Sequence, residues 1–299
     1  MELPQRIDER GPQLQDLRGG IYEPQFTPSP SDSVHAAAPP AYAFRAITRG
    51  VSPNMDACEL TYCSRDNIDL NKAVLQLEQY EELLRTWDVD LVTMAASDSY
   101  PDCCFVQDTA VVLDEICVIA SMGALTRQGE ISEVERLLSP WRRTRRILPP
   151  ATLDGGDVVQ IGRQLFVGLS TRTNARGIAA LDRLVEPFGY TVVPVHVYGG
   201  LHLTTGCGVI NDETVLLNPR WLDAHAFRGL RQLHVPEGEP WAANTIRVDD
   251  AVCIEDRAPG TLELVQPFAK RVDTLDISEF RKAEGSLSCL SLIFKDTNN

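Results

Sequence analysis

Several polar side chains of this chain stand beside small residues and just before apolar runs, where a bound ligand could reach them. Cys289 lies between two serines in "GSLSCLSLIF", and His202 follows a glycine pair in "GGLHLTTG". Asp154 precedes another glycine pair in "ATLDGGDVV", and Asp102 and Asp108 lie close together in "PDCCFVQDTAVV". A thiol can act as a nucleophile and an imidazole as a general acid or base. Small or flexible neighbours leave room for a ligand to approach such groups.

Each of these residues also has a purely structural explanation. Free cysteine is among the residue types most often buried, so Cys289 could belong to a terminal core strand. Aspartate before Gly-Gly is common in turns, and Asp102 could simply cap a loop. A histidine between two leucines, such as His202, is often a hydrogen-bonded core residue. Residue types alone therefore leave both explanations open.

The composition is that of an ordinary globular protein and argues against several classes of partner. The 299 residues are 43% apolar and 23% charged, and they carry a formal net charge of -14. Nucleic acids and anionic membrane surfaces call for a basic face, so neither is an expected partner, whereas a cationic small molecule is compatible with this charge. No apolar stretch approaches the length of a membrane span, and the N-terminus lacks the pattern of a signal peptide.

Cysteine usage indicates a reduced, cytoplasmic setting. The eight cysteines include no CxxC pair and no cysteine–histidine cluster at zinc-binding spacing. In a chain of this length they do not form a disulfide scaffold, so most of the thiols are expected to be structural.

Residues 1–41 differ in composition from the rest of the chain. They are rich in Pro, Gly, Gln and Ser and show neither helical nor strand periodicity. Such a segment buries too little apolar surface to offset the entropy of ordering it. We therefore expect a disordered N-terminal extension, followed by a single catalytic domain over residues 42–299.

A hairpin pattern recurs within this domain. Short turns at 114–115, 162–163, 211–212 and 249–250 are each flanked by runs rich in β-branched or aromatic residues. These turns are 48, 49 and 38 residues apart, a period typical of units arranged around an axis or along a solenoid. The alternative is an ordinary α+β domain in which the hairpins are unrelated.

A circular arrangement would also account for the two ends of the domain. The early strand "AFRAIT" and the late strand "LSCLSLIF" would pair and complete a fifth unit, with Cys289 beside the central axis. That unit would include the helix "LNKAVLQLEQYEELLRTWD" and the strand "VDLVTM". A second helix is predicted in "TNARGIAALDRLVEPFG", where it stops at Gly189, and a shorter one in "PGTLELVQPFAK".

From about residue 43 to 294 the sequence resembles the dimethylarginine dimethylaminohydrolases, guanidine-modifying enzymes of the pentein superfamily. The matching motifs occur in the family's order, namely "PDCCFVQDTAVV", "ATLDGGDVVQIGRQLFVGLSTRTNARG", "GLHLTTG", "AAN" and "DISEFRKAEGSLSCLSLIF". The resemblance implies an α/β fold, a five-bladed propeller of pseudo-fivefold ββαβ repeats. It also implies a hydrolase that converts Nω-methylated arginine to citrulline and methylamine or dimethylamine.

The resemblance implies roles for individual residues. Cys289 is the expected nucleophile, which attacks the guanidinium carbon and forms a covalent thiouronium intermediate. His202 would protonate the departing amine and then activate water, with Asp154 orienting it. Asp108 and Asp154 would hold the edges of the planar guanidinium by charge-assisted hydrogen bonds. An acidic pocket should raise the pKa of the free Cys289 thiol, so that the thiolate forms only when the cationic substrate arrives.

The other expected substrate-binding residues are Asp102, Gln107 and Arg172. In "STRTNARG", Arg172 matches a family arginine that binds the substrate's α-carboxylate. Neither a metal nor another cofactor is expected. The expected partner is a small cationic guanidine, bound by a monomer or a homodimer.

Two positions depart from the family pattern. Gln107 stands where the family usually has an acidic residue, which removes one negative charge beside the cation. Glu133, in "TRQGEISEVERL", stands about where the family has a second carboxylate-binding arginine, and like charges there would repel. Either Arg127 or Arg136 replaces that arginine, or the substrate is another guanidine or amidine that lacks the α-carboxylate or carries an extra amine.

Other functions also remain open at this point. An arginine deiminase or an amidinotransferase would share Cys289, His202 and Asp154 but differ in the group that leaves or accepts. A catalytically inactive binding protein could have the same fold, although all three reactive positions are filled here.

Overall fold

The computed structural model describes residues 21–22 and 42–297, whose strands form five small sheets. In chain order the strands are β1 (Ile21–Tyr22), β2 (Phe44–Arg49), β3 (Val89–Met94), β4 (Ala110–Val112), β5 (Ile116–Ile119), β6 (Arg143–Ile147), β7 (Val158–Ile161), β8 (Gln164–Leu169), β9 (Thr191–His196), β10 (Cys207–Asn211), β11 (Thr214–Leu217), β12 (Arg231–His234), β13 (Ile246–Val248), β14 (Ala251–Glu255), β15 (Arg271–Leu275) and β16 (Leu292–Lys295). The helices are α1 (Leu70–Thr86), α2 (Ile131–Leu138), α3 (Ala175–Val185), α4 (Pro259–Val265) and α5 (Ser278–Lys282).

Every sheet repeats one arrangement of three strands. An innermost strand pairs antiparallel with a middle strand, which pairs parallel with an outer strand, as in β7–β8–β9. The same order is found in β16–β2–β3, β4–β5–β6, β10–β11–β12 and β13–β14–β15. A parallel pair needs a crossover connection, which is α1, α2, α3 or α4 in four units and the 3₁₀ turn Ala224–Phe227 in the fifth. The predicted propeller of ββαβ repeats is confirmed.

The two ends of the domain meet in one sheet, which closes the ring. β16 pairs antiparallel with β2, so that Leu292 lies opposite Ile47, and β2 pairs parallel with β3. Closure of this kind covers the sheet edges that an open array would expose. The predicted pairing of the early and late strands is therefore confirmed.

The predicted turns and the end of α3 are present as well. Gly162 and Asp249 have φ angles of 57° and 52° in the turns of two hairpins, and Gly189 ends the 3₁₀ turn after α3 with φ 78°. Glycine takes these left-handed angles without steric cost, which explains two of the three positions.

Helix α1 forms because its apolar residues recur on one face. Ala73, Leu77, Tyr80 and Leu84 are all buried, at the spacing of an amphipathic helix. Asp69 caps the helix by accepting a hydrogen bond from a backbone N–H of the first turn. The buried face packs against β3 and holds the outer side of the closing sheet in place.

The predicted N-terminal extension, 1–41, lies outside the described residues except for Ile21–Tyr22. These two residues form β1, which pairs antiparallel with β6 and places Ile21 opposite Ile147. Within the described ranges no helix combines the length and apolar character needed to cross a membrane.

The late strand is shorter than its sequence predicts. A strand was expected over 287–294, but only Leu292–Lys295 form β16, and Leu287–Leu290 form a 3₁₀ turn. The backbone N–H of Cys289 donates to the carbonyl of Ser286 at 3.1 Å, so the chain turns here instead of pairing with a neighbouring strand. Cys289 therefore lies in a turn before the innermost strand and not on the strand itself.

Candidate active site

Polar residues in the turns before the five innermost strands form one cluster. Asp108 precedes β4, Asp154 precedes β7, His202 precedes β10, Asn244 precedes β13 and Cys289 precedes β16. The turns of Asp108, Asp154, His202 and Cys289 are connected by packing contacts. Asn244 is hydrogen-bonded to Thr204 in the turn of His202 and to Ser288 in the turn of Cys289. Equivalent positions of a closed ring meet near its axis, which is why residues far apart in sequence lie together.

His202 lies between two aspartates. Its Nε2 is 3.0 Å from Asp154 Oδ2, and its Nδ1 is 3.6 Å from Asp108 Oδ1. All three side chains are buried. Burial by itself lowers the pKa of His202, but the charge of Asp108 and the hydrogen bond with Asp154 outweigh it and raise the pKa to about 9. His202 is therefore protonated at neutral pH and can donate from both ring nitrogens.

Asp108 receives hydrogen bonds from a cation and from the backbone. Arg127 Nη1 donates to its Oδ2 at 2.6 Å, and the N–H of Gly156 donates to its Oδ1 at 3.2 Å. Burial opposes ionisation of Asp108, but the charges of His202 and Arg127 outweigh burial and lower its pKa. A Cβ atom at position 156 would lie 2.5 Å from Asp108 Oδ1 and 2.9 Å from His202 Nδ1, so this close approach requires glycine.

Asp154 is held on both sides of its carboxylate. Its Oδ1 accepts the backbone N–H of Gly123 at 2.8 Å, and its own N–H donates to the Thr173 hydroxyl at 3.1 Å. The Oδ2 atom faces His202 and lies 3.9 Å from Arg172 Nη1. Because the carboxylate cannot rotate freely, it fixes the orientation of the imidazole.

Asp157, in the same turn as Asp154, holds the backbone next to His202. Its carboxylate accepts the N–H of Leu203 at 2.9 Å and the hydroxyl of Ser170 at 2.6 Å. Burial raises the pKa of Asp157 to about 6. This buried aspartate therefore supports the turn that carries the histidine.

The Cys289 thiol is buried in surroundings that disfavour its thiolate. The residue is 8% exposed, and burial, with a further contribution from the charge of Asp108, raises the pKa of the thiol to about 12. A raised thiol pKa agrees in direction with the expectation for an acidic pocket. Burial, however, raises this pKa more than the Asp108 carboxylate does.

Arg127 is a buried cation that pairs with two carboxylates. Besides Asp108 it binds Glu130, to which Nε donates at 3.1 Å and Nη2 at 2.9 Å, and it donates to the carbonyl of Phe105 at 3.0 Å. Its side chain is 4% exposed. One arginine thus compensates two buried carboxylates, as buried charges require.

Neutral side chains surround the backbone beside Cys289. The hydroxyl of Ser288 donates to Gln107 Oε1 at 3.0 Å and accepts from Asn244 Nδ2 at 2.7 Å. The N–H of Ser288 donates to Asn244 Oδ1 at 3.0 Å, and Asn244 Nδ2 also donates to the carbonyl of Thr204 at 2.8 Å. Gln107, Thr204 and Ser288 line a cavity of about 580 Å³ that is bounded by innermost strands of all five sheets.

Asp102 and Arg172, both expected to bind substrate, have different surroundings. Asp102 Oδ2 accepts the backbone N–H of Glu59 at 3.1 Å, and burial raises its pKa although the charge of Arg127 opposes this. Arg172 Nη1 lies 3.9 Å from Asp154 and, among the described residues, is the buried side-chain polar atom without a hydrogen-bond partner. A buried donor of this kind is suited to an acceptor on a ligand.

Glu133 lies outside the cluster, contrary to the sequence expectation. It is on α2, its side chain is 43% exposed, and its carboxylate pairs with Arg49 at 3.1 Å. Arg136 on the same helix is exposed, whereas Arg127 precedes the helix and reaches Asp108. The register of α2, which motif spacing does not specify, places Glu133 beside Arg49.

Three side chains offer possible metal ligands. Asp108, Asp154 and His202 each provide one ligand atom, and these atoms lie within 4.8 Å of one another. In the structure the same atoms serve as partners for each other, and Asp108 also binds Arg127. The arrangement is that of an acidic site with a protonated histidine.

This chain is similar in sequence to known proteins of one enzyme family. Residues 54–218 match the family model described as N,N dimethylarginine dimethylhydrolase, eukaryotic. The chain is 31% identical over 228 residues to the N(G),N(G)-dimethylarginine dimethylaminohydrolase of Pseudomonas aeruginosa, which covers 76% of this chain and 90% of that protein. The chain belongs to the dimethylarginine dimethylaminohydrolase family. A member from Streptomyces coelicolor is 32% identical over 253 residues, which is 84% of this chain and 97% of that protein.

Solved structures of the family have the same fold. A cysteine-to-serine variant from Pseudomonas aeruginosa, complexed with citrulline, is 29% identical, with a TM-score of 0.79 over 85% of this chain and 100% of that one. A histidine-to-glycine variant in an adduct with S-methyl-L-thiocitrulline gives 0.80 at 29% identity, over 84% and 99%. The N-terminal domain of ArgZ, a cyanobacterial arginine dihydrolase, gives 0.73 over 84% and 97%, and at 18% identity it supports the fold alone. The resemblance to the dimethylarginine dimethylaminohydrolase family and its fold is confirmed.

Sequence reasoning missed three polar residues of the cluster, namely Asp157, Asn244 and Ser288. The "AAN" motif that contains Asn244 contributed to the resemblance, but no role was attached to it. Its position just before a predicted hairpin was an available signal, because His202 and Asp154 occupy the same place in their units. The sequence pattern indicates Ser288 only as a small neighbour of Cys289.

Proposed function

We propose that the protein hydrolyses a C–N bond of Nω-methylated arginine and releases citrulline and methylamine or dimethylamine. Membership in the dimethylarginine dimethylaminohydrolase family supports a cysteine-dependent hydrolase that acts on a guanidine. The observation that carries the proposal is His202, held 3.0 Å from Asp154 and 3.6 Å from Asp108 in the cluster that also contains Cys289.

In the first half of the proposed reaction Cys289 is the nucleophile. Its pKa of about 12 keeps the free thiol protonated, and a guanidinium beside Asp108 brings a positive charge that favours the thiolate. The thiol proton leaves to solvent, and the thiolate forms a C–S bond with the guanidinium carbon. Protonated His202 donates to the departing amine as its C–N bond breaks, which leaves a thiouronium on Cys289.

In the second half His202, now neutral, takes a proton from a water molecule. The resulting hydroxide attacks the thiouronium carbon, the C–S bond breaks, and the proton of the added hydroxyl passes to the departing Cys289 sulfur, which restores the thiol. The product carries a urea group in place of the guanidine, as citrulline does. Asp154 keeps the imidazole oriented through both steps, while Asp108 and Asp154 hold the N–H groups of the guanidinium.

Arg172 supports a substrate that bears a carboxylate. Its Nη1 is buried, has no hydrogen-bond partner and lies near Asp154, so it can donate to the α-carboxylate of an arginine derivative. Asp102 is a further proposed contact of the substrate, whereas Gln107 accepts the hydroxyl of Ser288 beside the nucleophile. The proposal places the reaction in one catalytic domain, residues 42–299, with neither a metal nor another cofactor.

A panel of guanidines tests the proposed substrate. Asymmetric dimethylarginine, monomethylarginine, arginine and decarboxylated arginine would be assayed for dimethylamine, methylamine, ammonia and ureido product. We expect alkylamine release from the two methylated arginines, with little ammonia from arginine. Turnover of the decarboxylated compound without turnover of methylated arginines would contradict the proposal, and efficient ammonia release from arginine would favour a deiminase.

Two further measurements test the proposed groups. A haloacetamidine should label Cys289, as peptide mass spectrometry would show, and labelling of another residue would contradict its role as nucleophile. Arg172→Met should raise KM about 10- to 100-fold for methylated arginines, because a charge-assisted hydrogen bond is lost. An unchanged KM would remove Arg172 from the binding site.

Location and assembly belong to the same proposal. All eight cysteines lie in the described part of the chain and are free thiols, which supports a reducing cytoplasmic location. The proposed assembly is a monomer or a homodimer, and size-exclusion chromatography with light scattering distinguishes the two.

A further inference from the structure

We infer that Gln107 is a positioning residue that acts through Ser288 on the Cys289 nucleophile. The inference rests on the proposed role of Cys289 and adds a residue that does not itself touch the reacting atoms. It concerns a position at which this chain carries an amide in place of an acid.

Ser288 is held through its hydroxyl and its backbone. The hydroxyl donates to Gln107 Oε1 at 3.0 Å and accepts from Asn244 Nδ2 at 2.7 Å. It also interacts with the Cys289 sulfur, and this contact acts to lower the pKa of the thiol. The N–H of Ser288 donates to Asn244 Oδ1 at 3.0 Å. Because Ser288 and Cys289 share a planar peptide bond, fixing Ser288 also restrains the positions of the N and Cα atoms of the nucleophile.

The same network spans the proposed nucleophile and the proposed acid. Asn244 Nδ2 also donates to the carbonyl of Thr204, two residues after His202, at 2.8 Å. Asn244 is 3% exposed and Ser288 is 8% exposed, so water cannot readily replace a lost partner. Loss of the Gln107 acceptor would therefore loosen the turn of Cys289 relative to the turn of His202.

An amide suits this position better than a carboxylate does. Either group can accept the Ser288 hydroxyl, but a carboxylate would add a negative charge beside the thiol. Asp108 and Arg127 are the charged groups that act on the thiol, and Asp108 already opposes the thiolate. Gln107 thus provides the hydrogen bond without a second charge that disfavours nucleophile formation.

Two substitutions at position 107 separate geometry from charge. Gln107→Leu removes the acceptor, and we expect kcat to fall at least about tenfold while KM changes less than about threefold, because positioning acts on the chemical step. Gln107→Glu keeps the acceptor and should regain most of the kcat that Gln107→Leu loses, and any kcat still missing is the effect of the added negative charge, which disfavours the thiolate. Gln160→Leu is the control, since Gln160 is exposed and lines the same cavity without contacting the cluster.

Variants at position 288 test whether the effect passes through Ser288. Ser288→Ala should lower kcat at least about tenfold, and Ser288→Thr, which keeps the hydroxyl, should recover it. In the Ser288→Ala background, Gln107→Leu should lower kcat by less than about a further twofold, because the hydrogen bond between Ser288 and Gln107 is already absent. Circular dichroism of each variant checks folding, and Gln107→Glu and Ser288→Thr keep the test decisive if the other two fold poorly.

Three outcomes would overturn the inference. One is a decrease in kcat on Gln107→Leu substitution that is equally large in the wild-type protein and in the Ser288→Ala variant. Another is a rise in KM with unchanged kcat, which would make Gln107 a direct substrate contact. The third is wild-type kinetics and a wild-type rate of haloacetamidine labelling at Cys289 in Gln107→Leu. Absence of labelling at Cys289 in the wild-type protein would instead contradict the proposed function.

Discussion

The candidate active site has two sides of different chemical character. The charged side consists of ionisable side chains that face one another, namely Asp108, Arg127, Asp154 and His202. The neutral side consists of uncharged side chains next to the nucleophile, namely Gln107, Asn244 and Ser288. Charge is thus concentrated where a guanidinium and a proton donor need it and is kept away from the backbone that holds Cys289.

The difference between the two sides follows from the energetics of burial. A buried charge is costly unless it is paired, and on the charged side each group has a partner of opposite charge within 3.6 Å. A buried neutral group needs only a hydrogen bond, which the neutral side provides at 2.7 to 3.0 Å. Electrostatics therefore dominates one side, and hydrogen-bond geometry the other.

The largest effect is expected at the nucleophile. Cys289→Ala should lower kcat at least about 10³-fold, because no other group replaces the thiolate. Cys207→Ala is the matched control, since Cys207 is also buried and lines the cavity that Ser288, the neighbour of Cys289, lines, and its kcat should stay within about threefold of wild type. The measurement is citrulline formation by correctly folded protein. Equal kcat values for the two variants would show that the neutral side does not carry the nucleophile.

A large effect on stability is expected on the charged side. Arg127→Met leaves Asp108 and Glu130 without their cation and should lower the free energy of unfolding by about 3–5 kcal/mol. The control is Arg220→Met, because the ion pair of Arg220 with Glu237 is exposed on both sides and should contribute little to the free energy of unfolding. Urea denaturation measures both. Similar decreases in the free energy of unfolding of the two variants would mean that charge pairing does not stabilise the buried network.

A smaller effect is expected in the pH dependence of activity. His202 must be protonated to donate to the leaving amine, and its pKa is about 9, so activity should fall as the pH rises through about 9. Asp154→Asn removes a partner of the charged imidazole and should move this decline to lower pH. The pH profile of kcat/KM measures the shift, with Asp223→Asn, at an exposed turn, as a control. If the pH profile of kcat/KM is the same in Asp154→Asn as in the wild type, Asp154 does not stabilise protonated His202.

The smallest effect concerns stability as a function of pH. The folded pKa of His202, about 9, lies above the ordinary value of 6.5, so protonated His202 binds its carboxylates more strongly in the folded state. This contribution is fully present below pH 6.5 and is lost as the pH rises through about 9. The free energy of unfolding of the wild type should therefore decline over this range, and His202→Gln should flatten the decline. An equal slope in both proteins would contradict the pairing.

Local patterns in the sequence indicate a ring of hairpin units, although they are also compatible with an ordinary α+β domain. Turn residues such as Gly162 and Asp249, between runs of alternating apolar residues, specify hairpins without reference to distant parts of the chain. The regular spacing of these hairpins, together with unpaired strands at both ends of the domain, predicts circular closure. Cys289, His202, Asp154 and other polar residues before strands were recognisable as candidates for the same local reason.

Contacts between units could not be read from these patterns. Whether Glu133 or Arg127 reaches the site depends on where α2 begins and which way its side chains point. Whether position 289 is on a strand or in a turn depends on bonds made by the backbone before β16. Spacing within one motif contains no information about either.

The sequence by itself therefore determined the repeating unit, its number and the residues available for chemistry, because these depend on the preferences of neighbouring residues. Only the tertiary structure decided which of those residues are partners. It placed His202 between two aspartates and joined Gln107 to Ser288, since hydrogen bonds and ion pairs depend on distances of about 3 Å between atoms that belong to different blades.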